Sequence, residues 1–376
     1  MKIITNGRII TDGRILDGFD IAVDGEKIVS VKEHTDGRGE KVDLHGMYIA
    51  PGFIDLHCHG GGGYEFIDAT EEAFEKAAAI HFAHGTRVMY PTISATDYCS
   101  TVRVLECARR VKNSCKVEIP GVHLEGPYLA KEMCGGQAEG VIRDINREEY
   151  CSLLEKYGDI IARWDYAPEK DRDGEFAKAL KENGTVGSTA HSSAEYSDIL
   201  SALKEGNRLI THLYSCTSTV TRHNGFRHLG VVESAFLLDE LFVEIICDGC
   251  HLPKELIKMV VKIKGDDRVC LITDALRPAG KGKEGEAYLD CAVPFVIEDG
   301  VAKLLDKSAF AGSIATSDRL VKVAADSGID IASAVKMITQ TPAEVMGLKN
   351  KGRIAPGFDA LFTVFDGEFN VYDIFA

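Results

Sequence analysis

Eight strand-like segments, with helix-like segments between them, fill the middle of the chain. The predicted strands are short apolar runs at 53–59, 87–91, 117–123, 160–166, 185–190, 209–213, 242–247 and 269–273. The predicted helices lie at 71–84, 98–112, 147–157 and 176–182, closing helices lie within 316–346, and 282–306 is typical of an inserted hairpin. Strands that alternate with helices form a parallel sheet with crossover helices. Because eight such strands make a (β/α)8 barrel, we predict an α/β fold that is a distorted (β/α)8 TIM-type barrel.

The two ends of the chain share a different pattern. Residues 2–50 contain short apolar segments separated by Asn-Gly and Asp-Gly turns, and 359–374 has the same character. Neither segment is expected to be stable alone. We therefore predict one small β-sandwich built from 1–51 together with 349–376, beside a barrel domain at 52–348.

The charge of the chain narrows the classes of partner. Its 43 basic and 58 acidic residues give a formal net charge of −15, which argues against nucleic acids and anionic membranes. The sequence has no apolar run of about 18 residues, which a membrane-spanning helix needs, and its first residues lack the apolar core of a signal peptide. Eleven cysteines without a disulfide-like spacing are typical of reduced thiols. We therefore predict a cytoplasmic protein that binds neither nucleic acid nor a membrane.

The segment 51–60, with the sequence PGFIDLHCHG, is the first candidate for chemistry. Side chains alternate faces along a strand, so Asp55, His57 and His59 share one face. The two imidazoles are then about 7 Å apart along the strand, at the end where a run of glycines begins. Two such nitrogens can bind one metal ion. The alternative is a pair of hydrogen-bonded core histidines, but Asp55 and the side chains described next favour metal binding.

Histidine and carboxylate side chains recur where the predicted strands end. Functional residues of a (β/α)8 barrel lie at the C-terminal ends of its strands, so these side chains are expected to converge on one rim. They are His57, His59, Glu125, His191, His212, Asp248, His251 and Asp274. Imidazole nitrogens and carboxylate oxygens without thiolates suit a borderline divalent ion such as zinc or iron. We therefore predict a divalent metal centre at the barrel mouth.

Several short motifs resemble those of the amidohydrolase superfamily and, within it, of deacetylases that act on amino-sugar phosphates. They are PGFIDLHCHG at 51–60, HLEGPY at 123–128, HS at 191–192, THLY at 211–214, DGCH at 248–251, TDA at 273–275, AGS at 311–313 and KGRIAPG at 351–357. The resemblance extends over nearly the whole chain. The first motif marks only the superfamily, whereas HLEGPY together with DGCH is much more specific to the deacetylases.

The resemblance implies a set of metal ligands. Glu125, His191 and His212 would hold one divalent ion. His57 and His59 would hold a second ion, with Glu125 as the bridge. One or two ions are therefore expected in each subunit.

The resemblance also implies how the reaction proceeds. Asp274 corresponds to the general base, although an aspartate at this position can also cap a helix or serve as a structural ligand. A bound divalent ion lowers the pKa of water to about 7 and polarises the acyl carbonyl. A neighbouring carboxylate can then take a proton from the water and pass one to the leaving amine. Residues 160–166 contain no lysine of the kind that many amidohydrolases carry on the fourth strand, which fits Glu125 as the bridge.

The same resemblance implies the contacts to a substrate. They are Gln137 for the acetamido group, and His251, the backbone amides of Ser215 and Cys216, and Arg227 for the phosphate. Arg227, with Arg222 in reserve, would reach the phosphate from the neighbouring subunit, which implies a homodimer. Ser215 and Cys216 stand where Asn-Ala is usual, a change that backbone donors tolerate. The alternative for either arginine is a solvated surface position.

The implied activity is deacetylation of N-acetylglucosamine 6-phosphate to glucosamine 6-phosphate and acetate. The divergent segment 215–230 leaves N-acetylgalactosamine 6-phosphate as an alternative substrate. An amidohydrolase that acts on a cyclic amide or an aminated base would not need the phosphate-binding motif at 248–251. The alternative outside enzymes is a non-catalytic barrel that binds sugar phosphates, against which the complete ligand set and the candidate base argue.

Overall fold

The computed structural model describes residues 1–34, 39–289 and 292–373, and its central element is a parallel barrel. Eight strands lie side by side in chain order, each parallel to the next. They are β1 (Phe53–Cys58), β2 (Thr86–Ser94), β3 (Val122–Glu125), β4 (Ile161–Tyr166), β5 (Val186–Thr189), β6 (Leu209–Ile210), β7 (Phe242–Ile246) and β8 (Val269–Ile272). A parallel bridge between Cys58 and Ala275 brings β1 next to β8 and nearly closes the ring. The predicted TIM-type barrel is therefore confirmed.

Helices connect the strands and cover the outside of the barrel. They are α1 (Glu71–Ala83), α2 (Tyr98–Val111), α3 (Arg147–Tyr157), α4 (Glu175–Asn183), α5 (Tyr196–Lys204), α6 (Val231–Leu237), α7 (Lys254–Lys264), α8 (Ser317–Asp326), α9 (Ile331–Met337) and α10 (Gln340–Val345). Thr70, Asp97 and Asn146 cap the first three of them, each accepting a backbone N–H bond in the first turn. Such caps satisfy donors that the start of a helix leaves open. Among the helices of the described ranges, none has the length and apolar character needed to cross a membrane.

Two strand predictions are wrong at the end that carries a site residue. The third strand was predicted at 117–123 and lies at Val122–Glu125. The sixth strand was predicted at 209–213 and ends at Ile210. It ends there because His212 has a left-handed φ of 28°, a conformation that cannot continue a strand.

The two chain ends form two sheets beside the barrel. One sheet has the strand order Lys27–Glu33, Phe19–Asp24, Lys2–Thr5 and Glu40–Asp43. The other has the order Val371–Tyr372, Phe362–Phe365, Tyr48–Pro51, Arg8–Thr11 and Arg14–Leu16. Antiparallel pairing of Phe362–Phe365 with Tyr48–Pro51 joins the two chain ends, and Ile4, Ile49 and Phe362 belong to a separate apolar core. The exact domain limits stay a prediction, and residues 35–38 and 374–376 of the predicted sandwich lie outside the described residues.

A four-stranded antiparallel sheet follows β8 and reaches the barrel mouth. Its strands are Ala287–Tyr288, Phe295–Glu298, Val301–Leu304 and Phe310–Gly312. The hairpin predicted at 282–306 is therefore part of a larger sheet, whose last strand lines the site described below. A short hairpin, Thr221–His223 with Phe226–His228, lies between β6 and α6.

Candidate active site at the barrel mouth

Glu125, the last residue of β3, lies among four imidazoles. Its Oε1 is 3.0 Å from His191 Nε2 and 3.1 Å from His212 Nε2. Its Oε2 is 3.3 Å from His59 Nε2, and its Oε1 is 3.6 Å from His57 Nε2. All five side chains are buried. The five residues predicted as ligands thus meet at one point, although they come from the ends of β1, β3, β5 and β6.

Asp274 lies just after β8 and completes this cluster. Its Oδ1 is 3.4 Å from His57 Nε2 and 3.2 Å from His59 Nε2. Its N–H donates to the His57 carbonyl, and its own carbonyl accepts from the Ser313 N–H, both at 2.9 Å. Burial alone would raise the pKa of this carboxyl, but His57 and His59 hold the pKa below its ordinary value. The carboxylate is therefore ionised at neutral pH and can accept a proton.

Asp55, which shares the strand face of the two histidines, has a structural role. Its Oδ2 accepts from Thr273 Oγ1 at 2.6 Å, and its Oδ1 accepts from the Thr273 N–H at 3.2 Å. Burial raises the pKa of Asp55 to about 6, although the bonds from Thr273 oppose this shift. Asp55 therefore ties β1 to β8 below the cluster.

The backbone of the site is in the left-handed region at several residues other than glycine. The φ angle is 44° at His191, 28° at His212, 76° at Tyr214, 52° at Cys216 and 48° at Asp274. Each such conformation costs about 1–3 kcal/mol, and such residues concentrate at functional sites. The sharp turns direct these residues to the rim instead of continuing the strands.

The donor set fits a divalent metal ion. Three of the four imidazoles have a partner for Nδ1: Ser94 Oγ for His59 at 3.1 Å, Met133 O for His191 at 2.8 Å and Ser215 O for His212 at 3.0 Å. Where the partner is a carbonyl oxygen, Nδ1–H must donate, which leaves Nε2 with the lone pair that binds metal. His57 Nε2 and His59 Nε2 are only 3.2 Å apart, so a cation bound by them would offset the repulsion between two lone pairs. Nitrogen and oxygen donors without thiolate suit zinc or iron.

A cavity of about 300 Å³ opens beside the cluster. The predicted residues that line it are His59, Glu125, Gln137, His191, His212, Ser215, Cys216, His251 and Asp274. Gln137 donates from Nε2 to Glu125 Oε2 at 2.6 Å and accepts from the Ala95 N–H at 2.9 Å, so it holds one carboxylate oxygen in place. The Ser215 N–H donates to the His212 carbonyl at 2.8 Å. A hydrogen bond from this N–H to a phosphate would therefore be shared with its bond to the His212 carbonyl.

Asp248 orients His251 at the cavity wall. Its Oδ2 is 2.9 Å from His251 Nδ1, and its Oδ1 accepts from the N–H groups of Cys250 and His251, both at 2.9 Å. Burial alone would raise the pKa of Asp248, but His251 and these N–H groups lower it. The His251 ring also packs edge-on against Phe310, with 4.9 Å between ring centres. The inserted sheet thus closes one side of the cavity.

Residues 48–376 match the model of the amidohydrolase family. The chain belongs to the amidohydrolase family. This amidohydrolase is 28% identical over 368 residues to the N-acetylglucosamine-6-phosphate deacetylase of Lysinibacillus sphaericus, covering 97% of this chain and 93% of the relative. It is 29% identical over 381 residues to that of Mus musculus (98% and 92% covered). It is 28% identical over 371 residues to an N-acetylgalactosamine-6-phosphate deacetylase of Shewanella sp. strain ANA-3 (96% and 91% covered).

Solved structures show the same fold over nearly the whole amidohydrolase chain. The crystal structure of N-acetylglucosamine-6-phosphate deacetylase from Pasteurella multocida has a TM-score of 0.91 at 28% identity and covers 98% of this chain and 96% of that one. A mutant of the Mycobacterium smegmatis enzyme in complex with N-acetyl-D-glucosamine-6-phosphate has a TM-score of 0.88 at 25% identity, with 98% and 96% covered. Barrel and sandwich therefore occur together in these relatives too.

The two candidate arginines of this amidohydrolase lie apart from the cavity. Arg222 and Arg227 are opposite each other in the exposed hairpin. Neither lines the cavity of its own chain. Contact with a substrate phosphate would need a second copy of the chain, and this role stays a prediction.

Three charged residues beneath the cluster are not among the site residues predicted from the sequence. Arg163 and Asp165 on β4 and Glu244 on β7 are fully buried inside the barrel. Two features of the sequence point to them. Arg163 and Asp165, of opposite charge, are two residues apart on a buried strand and so share one face, and Glu244 interrupts the apolar run at 242–247.

Proposed function

We propose that this amidohydrolase deacetylates N-acetylglucosamine 6-phosphate and releases acetate and glucosamine 6-phosphate. The observation that carries the proposal is the position of Asp274. Its carboxylate is 3.2 Å from His59 Nε2 and 3.4 Å from His57 Nε2 and lines the same cavity as Glu125. Relatives that match nearly the whole chain bear the name of this deacetylase, which supports the choice of substrate.

The proposed cofactor is one or two divalent ions. Glu125, His191 and His212 would hold one ion, and His57 and His59, with Glu125, would hold the other. Zinc and iron(II) both suit these donors. When bound, the ion lowers the pKa of a water molecule and polarises the acyl carbonyl.

The chain itself supplies proton transfer and orientation. Asp274 accepts a proton from the attacking water and passes one to the leaving amine. Gln137 uses one N–H to hold Glu125 Oε2, and its second N–H can donate to the acetyl oxygen. His251, oriented by Asp248, faces the phosphate end of the substrate.

The test is acetate release by purified protein loaded with zinc or iron(II). D274N is the matched control, because asparagine has the same shape and tolerates a left-handed φ. Loss of the base is expected to lower kcat by about 10²–10⁴-fold. Absence of acetate release above the D274N level, with both metals tested, would overturn the proposal.

N-acetylgalactosamine 6-phosphate is the second candidate substrate. The observation in its favour is that a relative named for that activity is 28% identical to this chain. The N-acetylglucosamine-6-phosphate deacetylase of Lysinibacillus sphaericus has the same identity. The two sugars differ only in the orientation of one hydroxyl, so both are tested in parallel. The higher kcat/KM identifies the preferred sugar.

We further infer a homodimer in which Arg227, or failing that Arg222, reaches the neighbouring site. Among the described residues that line the cavity there is no lysine or arginine, whereas a phosphate is usually bound by such cations. The same hairpin region exposes Phe226 by 74% and Val220 by 45%, and exposed apolar side chains together favour contact with another protein surface.

All ten cysteines of the described ranges carry free thiols, which favours the cytoplasm as the location.

A further inference from the structure

A network of fully buried charged side chains lies beneath the predicted metal ligands. At its centre, Arg163 Nη2 is 2.9 Å from Glu244 Oε2, Nη1 contacts Glu244 Oε1, and Nε is 3.1 Å from Asp165 Oδ1. The other acceptors are Thr211 Oγ1 at 2.7 Å, Ser188 Oγ at 2.9 Å and Leu56 O at 3.3 Å. Every N–H of the guanidinium therefore has an acceptor. Two of these N–H groups hold the Glu244 carboxylate in one orientation.

The network carries an excess of negative charge. Leaving imidazoles aside, two carboxylates face one guanidinium. An uncompensated charge in the interior is strongly unfavourable. A cation held by the cluster above would compensate it, and His57 lies between the cluster and the network.

One ring nitrogen of His57 faces the cluster of predicted metal ligands, and the other faces the buried network. Its Nε2 faces Glu125, His59 and Asp274. Its Nδ1 is buried without a hydrogen-bond partner among the described residues and lies 3.9 Å from Glu244 Oε2. The other three imidazoles of the cluster have a partner for Nδ1. Metal-binding histidines almost always donate their second N–H to an acceptor, and Glu244 is placed to be that acceptor.

We propose that Glu244 is the positioning residue of His57. With a metal ion bound to His57, the Glu244 carboxylate, which is 3.9 Å from Nδ1 in the structure, would move closer and accept the Nδ1–H. It would then fix Nε2 as the metal-binding nitrogen and place a negative charge behind the imidazole. Arg163 orients the carboxylate. The inference rests on the proposed metal-binding role of His57 and is independent of which sugar is the substrate.

Two matched variants separate positioning from a purely structural role. E244Q and D165N each remove one negative charge beside Arg163. Glu244 Oε2 is the nearer carboxylate oxygen, 3.9 Å from His57 Nδ1. Asp165 lies within 4.8 Å of a His57 nitrogen, but its Oδ1 pairs with His123 Nε2 at 3.0 Å. Zinc stoichiometry and affinity are measured with zinc alone, by competition with a chelator. We expect E244Q to weaken the binding of one ion by about 10–100-fold. D165N removes the same charge farther from His57 and is expected to weaken binding much less.

A double-mutant cycle tests whether the effect passes through His57. In an H57A background, E244Q is expected to cause no further loss of zinc affinity. Wild-type affinity in E244Q, an equal loss in D165N, or the same loss from E244Q in H57A would each overturn the proposal. If circular dichroism shows that E244Q does not fold, E244D keeps the charge but withdraws it from His57, and wild-type affinity in E244D would overturn the proposal equally. Because no sugar is present, failure to deacetylate would not affect this result.

Discussion

Replacing Arg163 with methionine is expected to destabilise the protein strongly. The guanidinium is the cation shared by Asp165 and Glu244, and all three side chains are fully buried. Removing one partner of a buried ion pair costs about 3–5 kcal/mol. Because Arg163 has two carboxylate partners, we expect the upper end, about 5 kcal/mol. At about 2 °C per kcal/mol for a long chain, Tm should fall by roughly 10 °C.

The loss should grow with pH. In the wild type, burial alone would raise the pKa values of Asp165 and Glu244, but Arg163 holds both below their ordinary values. Their contribution to stability is present at neutral pH and is lost as the pH falls through the folded pKa values. Without Arg163, burial raises both pKa values above the unfolded values of about 4. Protonation then stabilises the variant, so its deficit against the wild type is full at pH 8 and smaller at pH 5.

The assay is urea denaturation at pH 8 and pH 5 with a chelator present. E244Q is the control, because it leaves Arg163 paired with Asp165 alone and should cost less than R163M. A loss below about 1 kcal/mol, the size expected of an exposed ion pair, would refute the reasoning. Equal losses at the two pH values, or a loss in E244Q as large as in R163M, would refute it as well.

Other measurements address the remaining parts of the molecule. His84 Nδ1 is 2.7 Å from Asp318 Oδ2, and this bond raises the pKa of His84, although burial opposes the shift. The stabilisation is therefore full below pH 6.5 and is lost as the pH rises through the folded pKa. H84Q should lower the free energy of unfolding at pH 6, by less than about 1 kcal/mol because the site is partly exposed. At pH 9 it should not lower it. When subunits of the R227A and D274N variants are mixed and reassembled, about a quarter of the wild-type acetate release should return. The reason is that half of the dimers are mixed and each mixed dimer has one complete site. No recovery would contradict an arginine that crosses to the neighbouring site. Removing metal with a chelator should lower Tm and abolish acetate release, and added zinc should restore both.

The strands and the ligand cluster were predictable for a physical reason. Parallel strands that are buried on both faces are nearly continuous apolar runs, as at 269–272 and, apart from Glu244, at 242–247. Their C-terminal ends share one rim, so polar residues at those ends could be expected to meet. The strand ends themselves were less predictable. β6 stops at Ile210 because of the left-handed backbone at His212, which the residue pattern does not reveal.

The pairing within the buried network was not predictable because Arg163 and Glu244 lie on strands that are not neighbours. Arg163 and Glu244 are 81 positions apart in sequence and come from β4 and β7. A lone glutamate in an apolar run is equally compatible with an exposed edge, and only the closed barrel brings it opposite an arginine. Arg227 is the converse case. Its motif predicts a phosphate contact, whereas in the single chain it is exposed.

The charge distribution explains how an acidic protein can serve an anionic substrate. The chain has a net charge of −15, and the described lining of the cavity contributes imidazoles but neither lysine nor arginine. Beyond His251 and the backbone amides, attraction for a phosphate would therefore come from the proposed metal ions and from the arginine that we propose a second copy supplies. The excess negative charge under His57 would repel such a substrate directly, but it also favours a cation at the cluster. A cation bound by the cluster would separate the buried carboxylates from the substrate, which would make a negative interior compatible with an anionic substrate.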